Sequence, residues 1–338
     1  MSALRIGTRA SALALAQAGW VADQLRIGRH GGEDAEIVTV KTSGDGGSGG
    51  GGDKSRWVDA IEDALLAGEI DLAVHSAKDV PGELAEGLEL LGAPARAAPE
   101  DVLCLPGGSQ AGAGEAGEGQ SRGAGGDGAG GDHRATGLDG LPTGASIGTS
   151  SIRRAAQLRA ARADLDVVTM GGNVDTRLRH LAQGELDAIV LARAGLQRLG
   201  REQEIGAVLD PARFVPAPGQ GALALEARAE NTRVHEAVAA ILDADTSACL
   251  QAERAVASAL GATCNTPLGA HAQPAGCGCL GLRAWVGLPD GSAWVADELA
   301  GGFYDPDELG RRVAERMTAA GARELLARAE EMAAVAGA

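Results

Sequence analysis

Aromatic side chains make up only 2% of this 338-residue chain, so its cores must be filled by alanine, valine, leucine and isoleucine. Lysine is scarce too. It occurs only at Lys41, Lys54 and Lys78, and arginine supplies nearly all other positive charge. The formal net charge of −16 argues against nucleic-acid binding, because phosphate contacts call for a basic face. No window is long and apolar enough to span a bilayer, so no membrane association is expected. The opening "MSALRIGTRASALALAQ" lacks a basic segment followed by an unbroken apolar run, and no signal peptide is expected. Cys104, Cys249, Cys264, Cys277 and Cys279 are an odd number scattered over a long chain. Without an export signal, they favour reduced thiols in the cytoplasm over a disulfide framework.

What is present reads as a soluble, globular chain with 45% hydrophobic and 22% charged residues, long enough for two or three domains. Short apolar runs alternate with helical patterns: "LRIGT" then "ASALALAQAGWVADQLR", "AEIVTV" then "RWVDAIEDALLAG", then "DLAVH". The rhythm returns with "ASIGT", "SSIRRAAQLRAA", "DVVTM", "NVDTRLRHLAQG" and "DAIVLA". It predicts α/β units with largely parallel sheets. The two series echo each other, Ile6-Gly7-Thr8 in Ile147-Gly148-Thr149 and "AGEIDLAVH" in "QGELDAIVL". Two related halves facing one another would form a crevice bordered by strand ends and helix N-termini, a usual place for a ligand.

Residues 107–137, rich in glycine, cannot bury a core and are expected as a surface insertion. Beyond Pro216 the pattern changes to a strand, two helices, a hairpin turning at Pro289-Asp290-Gly291 and a helical C-terminus. The expected division is a first domain of residues 1–96 and 197–217, a second of 97–196, and a smaller α+β third of 218–338.

Three helix entrances collect polar groups: "GTRASALALAQ" with Arg9 and Ser11, "GTSSIRRAAQL" with Ser150, Ser151, Arg153 and Arg154, and "GGNVDTRLRH" with Asn173, Arg177 and Arg179. Helix N-termini favour anions, and guanidinium forks suit carboxylates. The plain alternative makes the serines and asparagine caps and the arginines solvated charges. Three entrances in echoing positions favour a polyanionic small molecule.

"KTSGDGGSGGGGDKS" nearly fits a phosphate-binding loop, but Asp53 stands where a glycine is needed, so a flap is the better reading. Cys264, His271, Cys277 and Cys279 have no common zinc spacing, and no metal is expected. Cys264 lies in a small polar loop and is either accessible for chemistry or idle. In "VHSAKDVP", Asp79 at a strand end suits general acid–base work or the steadying of a cation, and equally a surface ion pair with Lys78.

Together "RIGTRASALALAQ", "DLAVHSAKDVP", "GTSSIRRAAQL", "GNVDTRLRHL", "DAIVLARAGLQRLG", "PAPGQGALALE" and "CNTPLG" resemble the porphobilinogen deaminase (hydroxymethylbilane synthase) family, in family order over nearly the whole chain. The resemblance implies a transferase of tetrapyrrole biosynthesis, leading to haem, chlorophyll and cobalamin. It would join four porphobilinogen molecules head to tail into linear hydroxymethylbilane, releasing ammonia at each step. It implies two periplasmic-binding-protein-like α/β domains with a third α+β domain, and typically a monomer.

By the same resemblance Cys264 carries a dipyrromethane cofactor through a thioether, and Asp79 is the catalytic carboxylate. Arg9, Ser11, Gln17, Lys78, Ser151, Arg153, Arg154, Arg177 and Arg198 match positions that contact cofactor or growing chain. Lys54 and Trp57 match a lid, without its usual glycine frame. Where the family reads Arg-Gly-Asn-Val this chain has Gly171-Gly172-Asn173-Val174. Losing one such charged hydrogen bond costs about 1.5–3 kcal/mol. It implies slower turnover or looser cofactor retention, and as the alternative function a tetrapyrrole-binding homologue of impaired activity. Arg193 is the candidate to reach into the vacated space.

Overall fold

The computed structural model describes residues 2–27, 34–41, 55–107, 137–263, 265–276 and 278–336. Lys54, Cys264, Cys277 and residues 108–136 of the glycine-rich stretch lie outside the described residues, as does the side chain of Trp57.

The chain begins with β1 (Leu4–Thr8), α1 (Ala12–Ile27), β2 (Ala35–Thr39), α2 (Ser55–Leu66), β3 (Leu72–Ser76) and β4 (Leu88–Gly92). There follow β5 (Asp101–Cys104), β6 (Ser146–Thr149), α3 (Ile152–Ala161), β7 (Asp166–Thr169), α4 (Val174–Ala182), β8 (Ala188–Ala192), α5 (Arg193–Arg198) and β9 (Ile205–Val208). Last come β10 (Leu223–Arg228), α6 (Thr232–Ala239), α7 (Ala244–Leu260), β11 (Leu268–Pro274), β12 (Cys279–Gly287), β13 (Trp294–Gly302), α8 (Pro306–Ala319) and α9 (Ala322–Ala336).

Two five-stranded sheets share one plan, β2-β1-β3-β10-β4 and β7-β6-β8-β5-β9. In each, three parallel strands are closed by an antiparallel fourth, β10 against β3 and β5 against β8. The sequence echoes are therefore structural: Ile6 and Ile147 occupy the same place in their sheets and are fully buried. The central strands read as unbroken apolar runs because helices cover both faces. Leu72, Ala73 and Val74 of β3 and Ala188 to Leu191 of β8 are all out of water. The two α/β units thus repeat one strand order and one pattern of strand directions.

The boundaries differ from those expected. β9 lies within 197–217 yet pairs with β5 in the second sheet, and β10 lies beyond 218 yet sits between β3 and β4 in the first. α6 follows β10, placing Val234 and Val238 in the first core with Leu4 and Val21. The first unit thus takes its fourth strand from beyond two crossings of the chain, near 93–100 and near 209–222, while the second unit is built wholly from the segment between them. Local periodicity finds such a strand but not its sheet.

The third domain is an antiparallel sheet, β11-β12-β13, packed against α7, α8 and α9. The hairpin turns at the expected place, and Gly291 (φ 74°) lies so close to α3 that a Cβ would come within 2.4 Å of Ala160 N. Only two buried aromatics occur among the described residues: Phe214 and Trp285, the latter wedged against Ala156 and Val215.

Candidate functional site

β3 ends in a short 3-10 turn, Ala77–Asp79, whose start is tied to the second crossing by Ala77 N–H donating to Ala222 O at 3.1 Å. Asp79 is half-buried and lines a cavity shared with Arg9, Ser11, Gln17, His75 and Ser76. Asp79 is thereby brought together with Arg9, Ser11 and Gln17, which were also singled out in the sequence and lie near its start. Gln17, itself buried, donates from Nε2 to Ser76 Oγ at 2.8 Å, locking α1 to the end of β3. Ser11 Oγ accepts from Ala14 N–H at 3.3 Å and so acts as a cap on α1. Lys78 shares the turn with Asp79.

The second crossing can lie against this turn only because residue 219 is glycine. Its φ is 73°, and a Cβ would fall 2.9 Å from the carbonyl carbon of Ala77 and 3.0 Å from Lys78 N. Next to it Gln220 is a hub, 1% exposed. Its Nε2 donates to Pro99 O and Asp101 Oδ1, and its Oε1 accepts from Arg153 and Arg154.

The arginines of the second unit fall into two groups. Arg153 and Arg154 are buried, and their donors go to Asp101, to Gln220 and to the backbone carbonyls of Val215 and Val190. Burial alone pushes the Asp101 carboxyl up, but Arg153 and Arg154 beside it overcome this and hold it well below the usual carboxylate range. Burial pushes the Arg154 guanidinium down, opposed by Asp101. Ser151 caps α3 by accepting from Arg154 N–H, and Asn173 caps α4 by accepting from Thr176 N–H, as the plain reading had it.

Arg177 and Arg198 behave differently. Arg177 Nε donates to Gly172 O at 3.0 Å, and Arg198 donates to Gly221 O at 2.7 Å. Neither pairs with a carboxylate among the described residues. Burial lowers both to about 10, with repulsion from Arg154 adding to it at Arg177. Both remain charged at neutral pH and have donors to offer. α5, which ends in Arg198, lies against α1, with Gly195 facing Leu13. Around Gly171 there is open space: a Cβ would meet nothing within 4 Å. Arg193 does not turn toward it, lying instead 3.5 Å from Glu100.

In the third domain α7 is capped by Asp243 and ends at Gly261 in the left-handed region (φ 68°), leading into the loop around position 264. That loop is drawn tight by Thr263 N–H donating to Thr266 Oγ1 at 2.8 Å. Burial pushes the thiols of Cys104 and Cys249 up to about 12, leaving both inert at neutral pH. Among the described residues no three His, Cys, Asp or Glu are grouped to hold a metal.

Sequence reasoning passed over His75, which meets Glu226, and the adjacent pair Glu253 and Arg254 of α7. The one available signal was compositional: Glu-Arg interrupts a helix otherwise made largely of small and apolar residues.

With this geometry in hand, likeness to known proteins is specific. The family model described as "Porphobilinogen deaminase, dipyromethane cofactor binding domain" matches residues 4–236, and "Porphobilinogen deaminase, C-terminal domain" matches 247–319. The first span ends within α6, the helix that follows β10 and packs on the first unit. A porphobilinogen deaminase of Deinococcus deserti is 42% identical over 339 residues, covering 98% of this chain and 100% of that one. One from Pelobacter propionicus is 40% identical over 333 residues, covering 96% of each chain. Among solved structures, an ABC transporter from Parabacteroides distasonis is similar at a TM-score of 0.40 and 12% identity, over 77% of this chain and 74% of that one.

Proposed function

The chain belongs to the porphobilinogen deaminase family, and on that premise we propose that Asp79 is the carboxylate that serves its reaction, in a cleft loaded with dipyrromethane through Cys264. The activity is hydroxymethylbilane synthesis: four porphobilinogen molecules are joined head to tail, and ammonia leaves at each step. The observation that carries the site assignment is the single cavity joining Asp79 to Arg9, Ser11 and Gln17 at the end of β3.

The donor set fits the cofactor. Each pyrrole of a dipyrromethane bears acetate and propionate, and Arg177 and Arg198 are half-buried cations that pair with no carboxylate among the described residues. Together with Arg9 and Lys78 they would hold those carboxylates, while Ser11 and Ser151 bring helix N-termini. When bound, the dipyrromethane supplies the pyrrole carbon to which the first substrate unit is added. Arg153 and Arg154 support the cleft by tying α3 to Asp101 and the crossing. Lys54 and Trp57 are assigned to the lid by family pattern.

As the aminomethyl C–N bond of porphobilinogen breaks, the nitrogen leaves with the bonding pair and the ring becomes cationic. Asp79 accepts a hydrogen bond from the pyrrole N–H and balances that charge. The nitrogen having left as neutral ammonia from its protonated form, Asp79 then accepts the ring proton released when the new C–C bond forms and gives it up to solvent. The open space at Gly171 favours a second reading, a weaker grip on one carboxylate and slower turnover. The partners are porphobilinogen and the lengthening oligopyrrole, bound by a monomer working in the cytoplasm. No described helix is long and apolar enough to cross a membrane.

Intact-mass measurement should find the added mass of a dipyrromethane, lost in Cys264→Ser. Asp79→Ala should keep that mass while ammonia release drops about 10²-fold or more. Equal porphobilinogen consumption by wild type and Asp79→Ala would refute the assignment.

A further inference from the structure

We propose that Arg254 of α7 is a positioning residue, which with its neighbour Glu253 clamps the Ala77–Asp79 turn and sets where the Asp79 carboxylate points; the inference rests on the role assigned to Asp79 above. Arg254 reaches out of the third domain to three consecutive carbonyls immediately after Asp79. It donates to Val80 O at 3.3 Å, Pro81 O at 2.7 Å and Gly82 O at 3.1 Å. A planar fork spreads its donors over three carbonyls in a fixed arrangement, whereas an ammonium offers its three from a single rotatable point. Burial pushes this guanidinium down, and no carboxylate forms an ion pair with it among the described residues.

Glu253 grips the other side. Its side chain is fully buried, and Oε2 accepts from Gly219 N–H at 2.7 Å, while Oε1 accepts from Ala272 N–H at 2.7 Å and from Arg96 at 2.6 Å. Gly219 is the residue pressed against Ala77 and Lys78. Successive residues on a helix point about 100° apart, so one turn of α7 holds the catalytic turn from both flanks. Gly261, where α7 gives way to the loop around residue 264, is seven residues further on, about 10 Å along the same helix. A single helix therefore grips the turn that carries the acid and leads, through Gly261, toward residue 264.

The test is turnover per adduct-bearing molecule, counted by intact mass, in Arg254→Gln, Arg254→Lys and Gly219→Ala. The expected result is a kcat lowered at least tenfold in Arg254→Gln, with KM within twofold of wild type and adduct occupancy unchanged. Arg254→Lys should recover part of the loss. Gly219→Ala, which pushes the same turn from the opposite side, should lower kcat without changing occupancy. A purely architectural role would reduce the yield of folded enzyme but leave kcat per adduct-bearing molecule intact in all three, and that result overturns the inference. Loss of adduct in proportion to loss of activity also overturns it, because α7 would then serve only the tether loop. Full turnover by Asp79→Ala would strike the prior assignment instead, and is read in a separate sample.

Discussion

Glu226 on β10 and His75 on β3 meet diagonally across the first sheet, with Oε2 2.8 Å from Nε2 and both side chains out of water. The second oxygen of Glu226 has no hydrogen-bond partner among the described residues, and Glu62 of α2 stands near enough to be affected: its carboxyl is pushed up, by burial first and by Glu226 next. Replacing His75 by phenylalanine strands a buried carboxylate, at an expected cost of about 3–5 kcal/mol. The matched pair His75→Phe with Glu226→Leu should regain most of it. Urea unfolding of both variants checks this, and an equal loss in single and double variants would contradict the pairing.

Asp101 gives a pH dependence. Its folded-state pKa is depressed below the ordinary 3.8, so the stability it confers is complete above that value and is lost as pH falls through the depressed one. Melting temperature should therefore drop more steeply below pH 4 in wild type than in Asp101→Asn. At pH 7 the variant should already be about 3–5 kcal/mol less stable, because Arg153 and Arg154 are left buried without their counter-charge. Melting curves from pH 7 to pH 3 decide it.

Gly171 offers a gain of function. Nothing lies within 4 Å of where its Cβ would stand, so Gly171→Arg can enter the space without a clash at its first carbon. One recovered charged hydrogen bond to a pyrrole carboxylate, about 1.5–3 kcal/mol, corresponds to an increase of about tenfold or more in kcat/KM for porphobilinogen. Steady-state kinetics of ammonia release would show it, and an unchanged ratio would mean that the grip is complete without the arginine.

Gly310 tests the third domain alone. A Cβ there would fall 2.4 Å from Ala252 O and 2.5 Å from Ala255 Cβ, where α8 crosses α7. Gly310→Ala should cost about 1–3 kcal/mol through overpacking, seen as a lower melting temperature. Any fall in kcat per adduct-bearing molecule would trace the strain onward through α7 to the turn of Asp79.

The α/β rhythm was legible because strands covered by helices on both faces must be apolar throughout, as "DLAVH" and "DAIVLA" are. The antiparallel closing strands were not. β9, "IGAV", is a short edge strand, and nothing in "LALEAR" says which of two equivalent sheets will accept it. Within the site, Arg9, Ser11 and Asp79 were marked by a helix start and a strand end, but Gln17, and the catalytic role of Asp79, came only with the resemblance to the family. The split between Arg153 with Arg154 and Arg177 with Arg198 was hidden, since it depends on Asp101, some fifty residues upstream of the first pair. Arg254 was hidden for the same reason: its partners are carbonyls, which carry no side-chain signature.

The exchange of closing strands has a consequence for synthesis on the ribosome. When β4 has emerged, β3 still lacks its neighbour on one side, and it must wait for residues 223–228. The second unit, whose strands all lie between, is complete first. Maturation therefore runs from the inside outward, with the earliest-made segment among the last to close, and a nascent chain stalled before β10 would present a bare β3 margin to chaperones.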